Sequence, residues 1–157
     1  MLESEANVIW REMFEAEVRA MYFGDLASAY TKRRQIISGI SLFLSSGAAA
    51  TIAARLDIWI PLTMSAVTAG LTAYSISANL ERSIGTTAKL HTIWNQLAME
   101  YERLWYHWQD SDSEETFRQL QERAAEASQM GTEVPYREAL VEKWQAITRE
   151  KYVSTAA

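Results

Sequence analysis

Two charge-free stretches lie close together in the first half of the chain, and they constrain its fold more than any other feature. Residues 35–54 and 58–80 contain no Asp, Glu, Lys or Arg. Each is about 20 residues long, so a helix rising about 1.5 Å per residue would cross a hydrocarbon core about 30 Å thick. Only Arg55-Leu56-Asp57 separates them. The sequence therefore predicts an antiparallel pair of membrane-spanning helices.

Basic residues flank this hairpin on one side. Lys32-Arg33-Arg34 precedes the first stretch, and Arg82 and Lys89 follow the second, whereas the connector offers Arg55 alone. Because cytoplasmic flanks are enriched in Lys and Arg, both termini are predicted to be cytoplasmic. A competing interpretation is two buried helices of a soluble bundle, since Ser, Thr, Ala and Gly make both stretches only moderately hydrophobic.

Helical periodicity continues on both sides of the hairpin. Before it, apolar residues repeat by four and three from Ile9 to Tyr30, which predicts a helix from near Ser4 to the basic cluster. After it, the second span is expected to continue as a cytoplasmic helix of about 28 residues. A further helix is predicted to end near Met130-Gly131, and a last one to begin with Pro135 in its first turn.

The predicted fold class is all-α, because six Gly and two Pro are too few for a turn-rich β fold. Residues 1–34 form an N-terminal cytoplasmic helix, 35–80 the transmembrane hairpin with spans at about 35–54 and 58–80, and 81–157 a cytoplasmic helical region. The long cytoplasmic helices are expected to form a helical bundle. Together these segments make one domain.

Composition excludes several classes of function. The formal charge of −5 argues against a general nucleic-acid binder, and the absence of cysteine excludes disulfides and thiolate chemistry. The acidic N-terminus lacks the features of a signal peptide. His91 and His107 are too far apart for a two-histidine helical metal pair, and no nucleophile elbow or phosphate loop is present. We therefore predict that the protein is not an enzyme, with no cofactor, metal or catalytic residue.

A row of polar residues runs along the second span. Its members recur by three and four, and are Ser65, Thr68, Thr72, Ser75 and Asn79. On a helix this spacing places them on one face. Small and hydroxylated residues let membrane helices pack closely, which is the structural interpretation. In the functional interpretation they line a water-filled path, with Asn79 forming a narrow ring on the cytoplasmic side.

A pore would require several copies of the chain, because two helices enclose no interior. The functional interpretation therefore predicts a homo-oligomer, closed and cyclic, with a tetramer favoured. In that assembly, the small residues of the spans would pack neighbouring subunits against one another.

The basic residues Lys32, Arg33, Arg34, Arg82 and Lys89 allow two interpretations. They are a topology signal and a contact for anionic lipid headgroups. In an oligomer they would also form a positive collar that holds a phosphate-bearing ligand near the pore mouth. The second interpretation makes them candidate ligand-binding residues.

The layout resembles the SLATT family. A helix leads through Tyr30-Thr31-Lys32-Arg33-Arg34 into a two-span hairpin, and a long helix with Trp and Tyr follows. The resemblance covers nearly the whole chain and rests on layout rather than on a catalytic motif. Many members carry fused domains, and this chain is most similar to the stand-alone effectors of two-gene systems such as the Hailong type.

The resemblance implies a pore-forming effector of a bacterial anti-phage system, located in the inner membrane. It implies that the open channel depolarises the membrane and arrests growth of the infected cell. It also implies control by a partner nucleotidyltransferase, whose nucleotide or DNA-oligomer product gates the channel. Two other functions stay open: a membrane-anchored helical adaptor without conductance, and a soluble helical bundle.

Overall fold

Five α-helices make up the protein. A computed structural model describes residues 2–54 and 57–155, and within these ranges it contains no β-strand. The helices are α1 (Leu2–Ala53), α2 (Trp59–Ser77), α3 (Leu80–Tyr106), α4 (Ser113–Gly131) and α5 (Glu138–Thr155). The all-α prediction is confirmed. The predicted N-terminal helix and the predicted first span form one uninterrupted helix, because nothing in the basic cluster breaks α1.

The chain divides into two compact units. The bundle unit comprises Met1–Ala27 and Gly85–Ala157, and the hairpin unit comprises Ser28–Ile84. Helix α1 contributes its first half to the bundle unit and its second half to the hairpin unit.

The core of the bundle unit forms between the apolar faces of α1 and α3. The predicted periodicity before the hairpin is confirmed, because the α1 positions that recur by three and four are buried. The buried side chains of these two helices include Ile9, Met13, Ala16, Ala20 and Phe23 on α1, and Leu90, Trp94, Leu97, Tyr101 and Leu104 on α3. Burial raises the pKa of Tyr101 to about 12. Fully burying a large apolar side chain stabilises by about 1.5–3 kcal/mol, so this seam supplies much of the driving force for folding.

Polar contacts fix α5 against α1. The Asp25 carboxylate accepts hydrogen bonds from Lys143 Nζ at 2.9 Å and from Trp144 Nε1 at 3.0 Å. About two helical turns away, the Glu17 carboxylate accepts a hydrogen bond from the Tyr152 hydroxyl at 2.7 Å. Burial, followed by this hydrogen bond, raises the pKa of Tyr152. Two acidic residues of α1 thus set the register of the C-terminal helix.

The last helix begins later than the sequence predicts. Helix α5 starts at Glu138, so the prediction that Pro135 lies in its first turn is wrong. The Tyr22 hydroxyl donates a hydrogen bond to Pro135 O at 3.2 Å and accepts one from Arg137 N at 3.1 Å. These bonds hold the segment before α5 as a loop.

The second span also ends earlier than predicted. Helix α2 ends at Ser77 and α3 starts at Leu80, so the expected continuation as one helix is wrong. Between them, Asn79 has a φ of 46°. This left-handed conformation ends an α-helix, and Asn tolerates it better than most residues.

The hairpin unit is an antiparallel helix pair. Near the connector, Gly47 of α1 approaches Met64 of α2, where an added Cβ would lie 2.5 Å from the methionine Cε. At the opposite end, the Arg33 guanidinium donates a hydrogen bond to the Tyr74 hydroxyl. From the connector toward this opposite end, residue numbers fall along α1 and rise along α2. The two helices therefore run antiparallel.

One described helix segment, Ala6–Ile52, is long and apolar enough to cross a membrane. Only 6% of its most apolar 18-residue window is buried, whereas the core helix of a soluble protein would be mostly buried. Helix α2 does not meet the same test, because Ser, Thr and Gly dilute its apolar residues. The structure thus identifies a single candidate span rather than two.

A side chain at Gly24 is predicted to destabilise the protein. A Cβ there would lie 3.0 Å from His91 Nδ1, and that ring is held by a 2.7 Å hydrogen bond to Ala20 O. We expect Gly24→Ala to lower the free energy of unfolding by about 1 kcal/mol, because steric strain of about 1–3 kcal/mol outweighs the gain in helix propensity. Denaturant unfolding of the detergent-solubilised protein measures this.

Gly85→Ala is the matched control. A Cβ at Gly85 meets nothing within 4 Å, so this change should raise stability by roughly 0.5–1 kcal/mol through helix propensity alone. Equal stabilisation by both substitutions would contradict the packing described for Gly24 and His91.

Candidate functional site

Four of the five predicted pore-lining residues lie on α2. Ser65, Thr68, Thr72 and Ser75 occupy successive turns between Trp59 and Ser77. Their steps of three and four place them within one broad face, as the sequence predicts. Asn79 lies outside the helix, so the prediction that it continues this row is wrong.

The row divides between two environments. The less exposed positions of α2 and its C-cap recur by three and four, which defines the side that packs on α1. They are Pro61, Met64, Thr68, Leu71 and Ser75 on the helix and Ala78 at the cap. Thr68 and Ser75 belong to this packed side. Ser65 and Thr72 are exposed. Of the four members of the row on α2, these two therefore leave their side chains accessible from outside the chain.

The threonine hydroxyls of the row bond within their own helix. Thr68 Oγ1 donates to Met64 O at 2.9 Å, and Thr72 Oγ1 donates to Thr68 O at 3.0 Å. The hydroxyl proton is thereby satisfied without an external partner. The hydroxyl oxygens keep lone pairs that accept hydrogen bonds, so this face offers acceptors to water or to a cation's hydration shell.

The turn at Asn79 is held by backbone hydrogen bonds on both sides. Ala78 N donates to Tyr74 O at 2.9 Å and Asn79 N to Ile76 O at 3.0 Å, which caps α2. Ser83 N donates to Asn79 O at 3.0 Å, which starts α3. The turn thus ends one helix and begins the next, and the role of Asn79 in the structure is set by its backbone.

Two of the predicted ligand-binding residues have partners inside the hairpin unit. The Arg33 guanidinium lies 5.2 Å from the centre of the Tyr74 ring, in addition to its hydrogen bond to the hydroxyl. Arg34 Nε lies 2.8 Å from the Glu81 carboxylate. Both arginines stay exposed, so these contacts orient them without removing them from solvent.

The other three candidates differ in their surroundings. Lys32 and Arg82 are exposed in the hairpin unit, and Lys89 is exposed on α3 in the bundle unit. Because Lys89 belongs to the other unit, the structure supports a basic group of Lys32, Arg33, Arg34 and Arg82 within the hairpin unit. Glu81 reduces the net charge of that group.

Sequence reasoning missed a cavity in the bundle unit. It has a volume of about 820 Å³ and lies between α1, α3 and the segment that joins α4 to α5. Its wall includes Tyr22, Trp94 and residues 131–136. The loop before α5 forms one side, and the sequence had predicted a helix there. In the sequence, the aromatic residues of α1 and α3 indicated a packed core but gave no sign of a cavity.

We predict that the left-handed backbone conformation at Asn79 matters more for stability than its side-chain amide does. We expect Asn79→Gly to retain the stability of the native protein, because glycine adopts positive φ without strain. Asn79→Ala should lower it by about 1–2 kcal/mol, the cost of a left-handed conformation for a residue with a Cβ. Thermal unfolding in detergent compares the two variants. Equal loss in both would show instead that the amide itself holds the turn.

Comparison with protein families, with curated proteins and with solved structures finds no match to this chain.

Proposed function

We propose that this protein is the pore-forming membrane effector of a bacterial anti-phage defence system. It acts as a homo-oligomeric, gated ion channel in the inner membrane, with both termini in the cytoplasm. Opening depolarises the membrane and arrests growth. A nucleotide or DNA-oligomer ligand, made by a partner nucleotidyltransferase, controls the gate.

The observation that carries the proposal is the apolar surface of the hairpin unit. Leu42 and Phe43 on α1 are 71% and 74% exposed, and Trp59 and Ile76 at the two ends of α2 are 67% and 70% exposed. Water penalises such surface by about 25 cal/mol per Å². A bilayer removes this penalty, so the exposed apolar side chains support membrane insertion of both helices.

The contacts within α2 support its role as the second span. Its moderate hydropathy comes partly from threonines whose hydroxyls donate to backbone carbonyls, including Thr63 to Trp59 O at 3.0 Å. Satisfied hydroxyls cost less in hydrocarbon than unpaired ones. Trp59 at the start of the helix suits the membrane interface.

The exposed hydroxyls of Ser65 and Thr72 support a path between subunits. They lie two helical turns apart on α2, beside the packed positions Thr68 and Ser75 and at the edge of the contact with α1. In a cyclic oligomer, symmetry repeats each hydroxyl around the axis and forms two polar rings. The tetramer expected from sequence would place four hydroxyls in each ring.

The defence role and the nucleotide ligand rest on the resemblance to the SLATT family. The basic residues of the hairpin unit suit a phosphate-bearing ligand, since Lys32 is exposed and Arg33 and Arg34 are oriented by Tyr74 and Glu81. Anionic lipid headgroups would use the same charges.

Conductance tests the pore directly. We expect Thr72→Leu to reduce single-channel conductance in planar bilayers, and toxicity on expression, by at least about tenfold, because it replaces a polar ring by a hydrophobic constriction. Thr63→Leu is the matched control, since Thr63 is exposed on the opposite face of α2 and also bonds to its own helix. It should conduct as the native protein does.

Equal conductance in the two variants would contradict the assignment of the pore-lining face. The alternative function is a membrane-anchored adaptor, which the packing of Thr68 and Ser75 toward α1 favours. Under that alternative, the purified native protein would pass no current, and Thr72→Leu would change only assembly.

Ligand binding by the basic residues is tested separately. We expect Lys32→Glu and Arg33→Glu to weaken binding of a short DNA oligomer by at least about tenfold, with a salt dependence less steep than that of the native protein. Arg149→Glu, an exposed site on α5, makes the same charge change elsewhere and should bind normally. Unchanged binding by the Lys32 and Arg33 variants would assign these residues to lipid contact.

A further inference from the structure

We infer that the cavity of the bundle unit is a binding site for an uncharged, planar heteroaromatic molecule. The cavity holds about 820 Å³, which is within the range of small-molecule sites. All its lining residues belong to the bundle unit. The inference does not depend on the proposed pore.

Aromatic side chains from three parts of the chain surround the cavity. Phe14 and Tyr22 come from α1, Trp94 from α3, and Tyr136 from the loop before α5. Tyr136 is 73% exposed, so its ring is available at the cavity without first breaking a packed core. Aromatic faces bind planar rings by stacking, which favours a flat ligand over a flexible aliphatic one.

The charges at the cavity argue against a phosphate-bearing ligand. Arg19 is the only cation among its described lining residues, whereas Glu15 and Glu133 supply two carboxylates. The Arg19 guanidinium already donates to Glu15 at 3.0 Å and lies 4.6 Å from the centre of the Trp94 ring. An added phosphate would meet an excess of negative charge, so the ligand is expected to be neutral.

Two polar side chains at the cavity could hydrogen-bond to the edge of a ligand ring. The Gln145 amide and the Ser128 hydroxyl line the cavity. An amide and a hydroxyl can each donate and accept hydrogen bonds, as the ring nitrogens and exocyclic groups of a heteroaromatic molecule require. These features favour a heteroaromatic ring over a hydrocarbon.

The site is preformed rather than dependent on ligand. Tyr22 fixes its loop through hydrogen bonds to Pro135 O and from Arg137 N. Gly131 and Phe23 also line the cavity and lie close together, since an added Cβ on Gly131 would be 3.4 Å from Phe23 Cζ. A cavity that exists before binding loses little entropy when a ligand enters.

Calorimetric titration of the full-length protein in detergent tests the inference. The probes are adenosine, guanosine, cytidine and thymidine, each paired with its 5′-monophosphate. We expect at least one nucleoside to bind with a micromolar Kd, and its monophosphate to bind at least about fivefold more weakly at low salt because of Glu15 and Glu133. Glu133→Gln should narrow that difference.

Tyr136→Ala should weaken nucleoside binding by at least about fivefold, the loss expected for one stacking partner. Tyr106→Ala is the matched control, because Tyr106 is similarly exposed, at 67%, and lies outside the cavity. Failure of every nucleoside to bind, tighter binding of the monophosphates, or equal binding by the two tyrosine variants would each overturn the inference. Binding is read without conductance, so such a failure leaves the pore proposal intact.

Discussion

The contact between the charge-free half of α1 and α2 is the constraint on which the hairpin unit depends. At Gly47 the absence of a side chain lets Met64 approach the α1 backbone closely. At the other end, Arg33 and Arg34 reach Tyr74 and Glu81. Small residues let two helices approach closely. Bulky apolar side chains such as Leu42 and Phe43 are left exposed on the outside of the pair.

The bundle unit is stabilised in the opposite way, by a buried seam and by specific polar contacts. Trp94, Leu97 and Tyr101 of α3 are almost fully buried against the first half of α1. Asp25 and Glu17 then attach α5 through charged and aromatic partners. Because α1 is continuous, one helix has two different surfaces. Its first half buries an apolar face in the bundle core, and its second half has exposed apolar side chains. The candidate membrane span and part of the bundle core thus belong to the same helix.

Features that depend on local sequence were predictable. The all-α class followed from helical periodicity and few Gly and Pro, and the end of α4 near Gly131 followed from the loss of the apolar stripe. Contacts between distant residues were not. Tyr22 holds the loop at Pro135 across more than a hundred positions, which displaced the start of α5 and formed the cavity. Periodicity carries no information on such pairs.

The geometry of the polar row was predictable from spacing only in part, for the same reason. The spacing from Ser65 to Ser75 placed the hydroxyls on one face, but it did not show that Thr68 and Ser75 turn toward α1. The step of four to Asn79 matched the helical period, yet α2 ends at Ser77 and Asn79 itself has a left-handed backbone. Period alone does not distinguish a helix that continues from one that stops at Asn.

The most direct test of the account is the topology of the hairpin in intact cells. The chain contains no cysteine, so single-cysteine variants report one position each. A membrane-impermeant maleimide should label Asp57→Cys in intact bacteria, Ser111→Cys only after the membrane is permeabilised, and Leu42→Cys in neither case. Labelling of Asp57→Cys and Ser111→Cys under the same conditions, or recovery of the protein in the soluble fraction, would contradict a membrane hairpin with cytoplasmic termini.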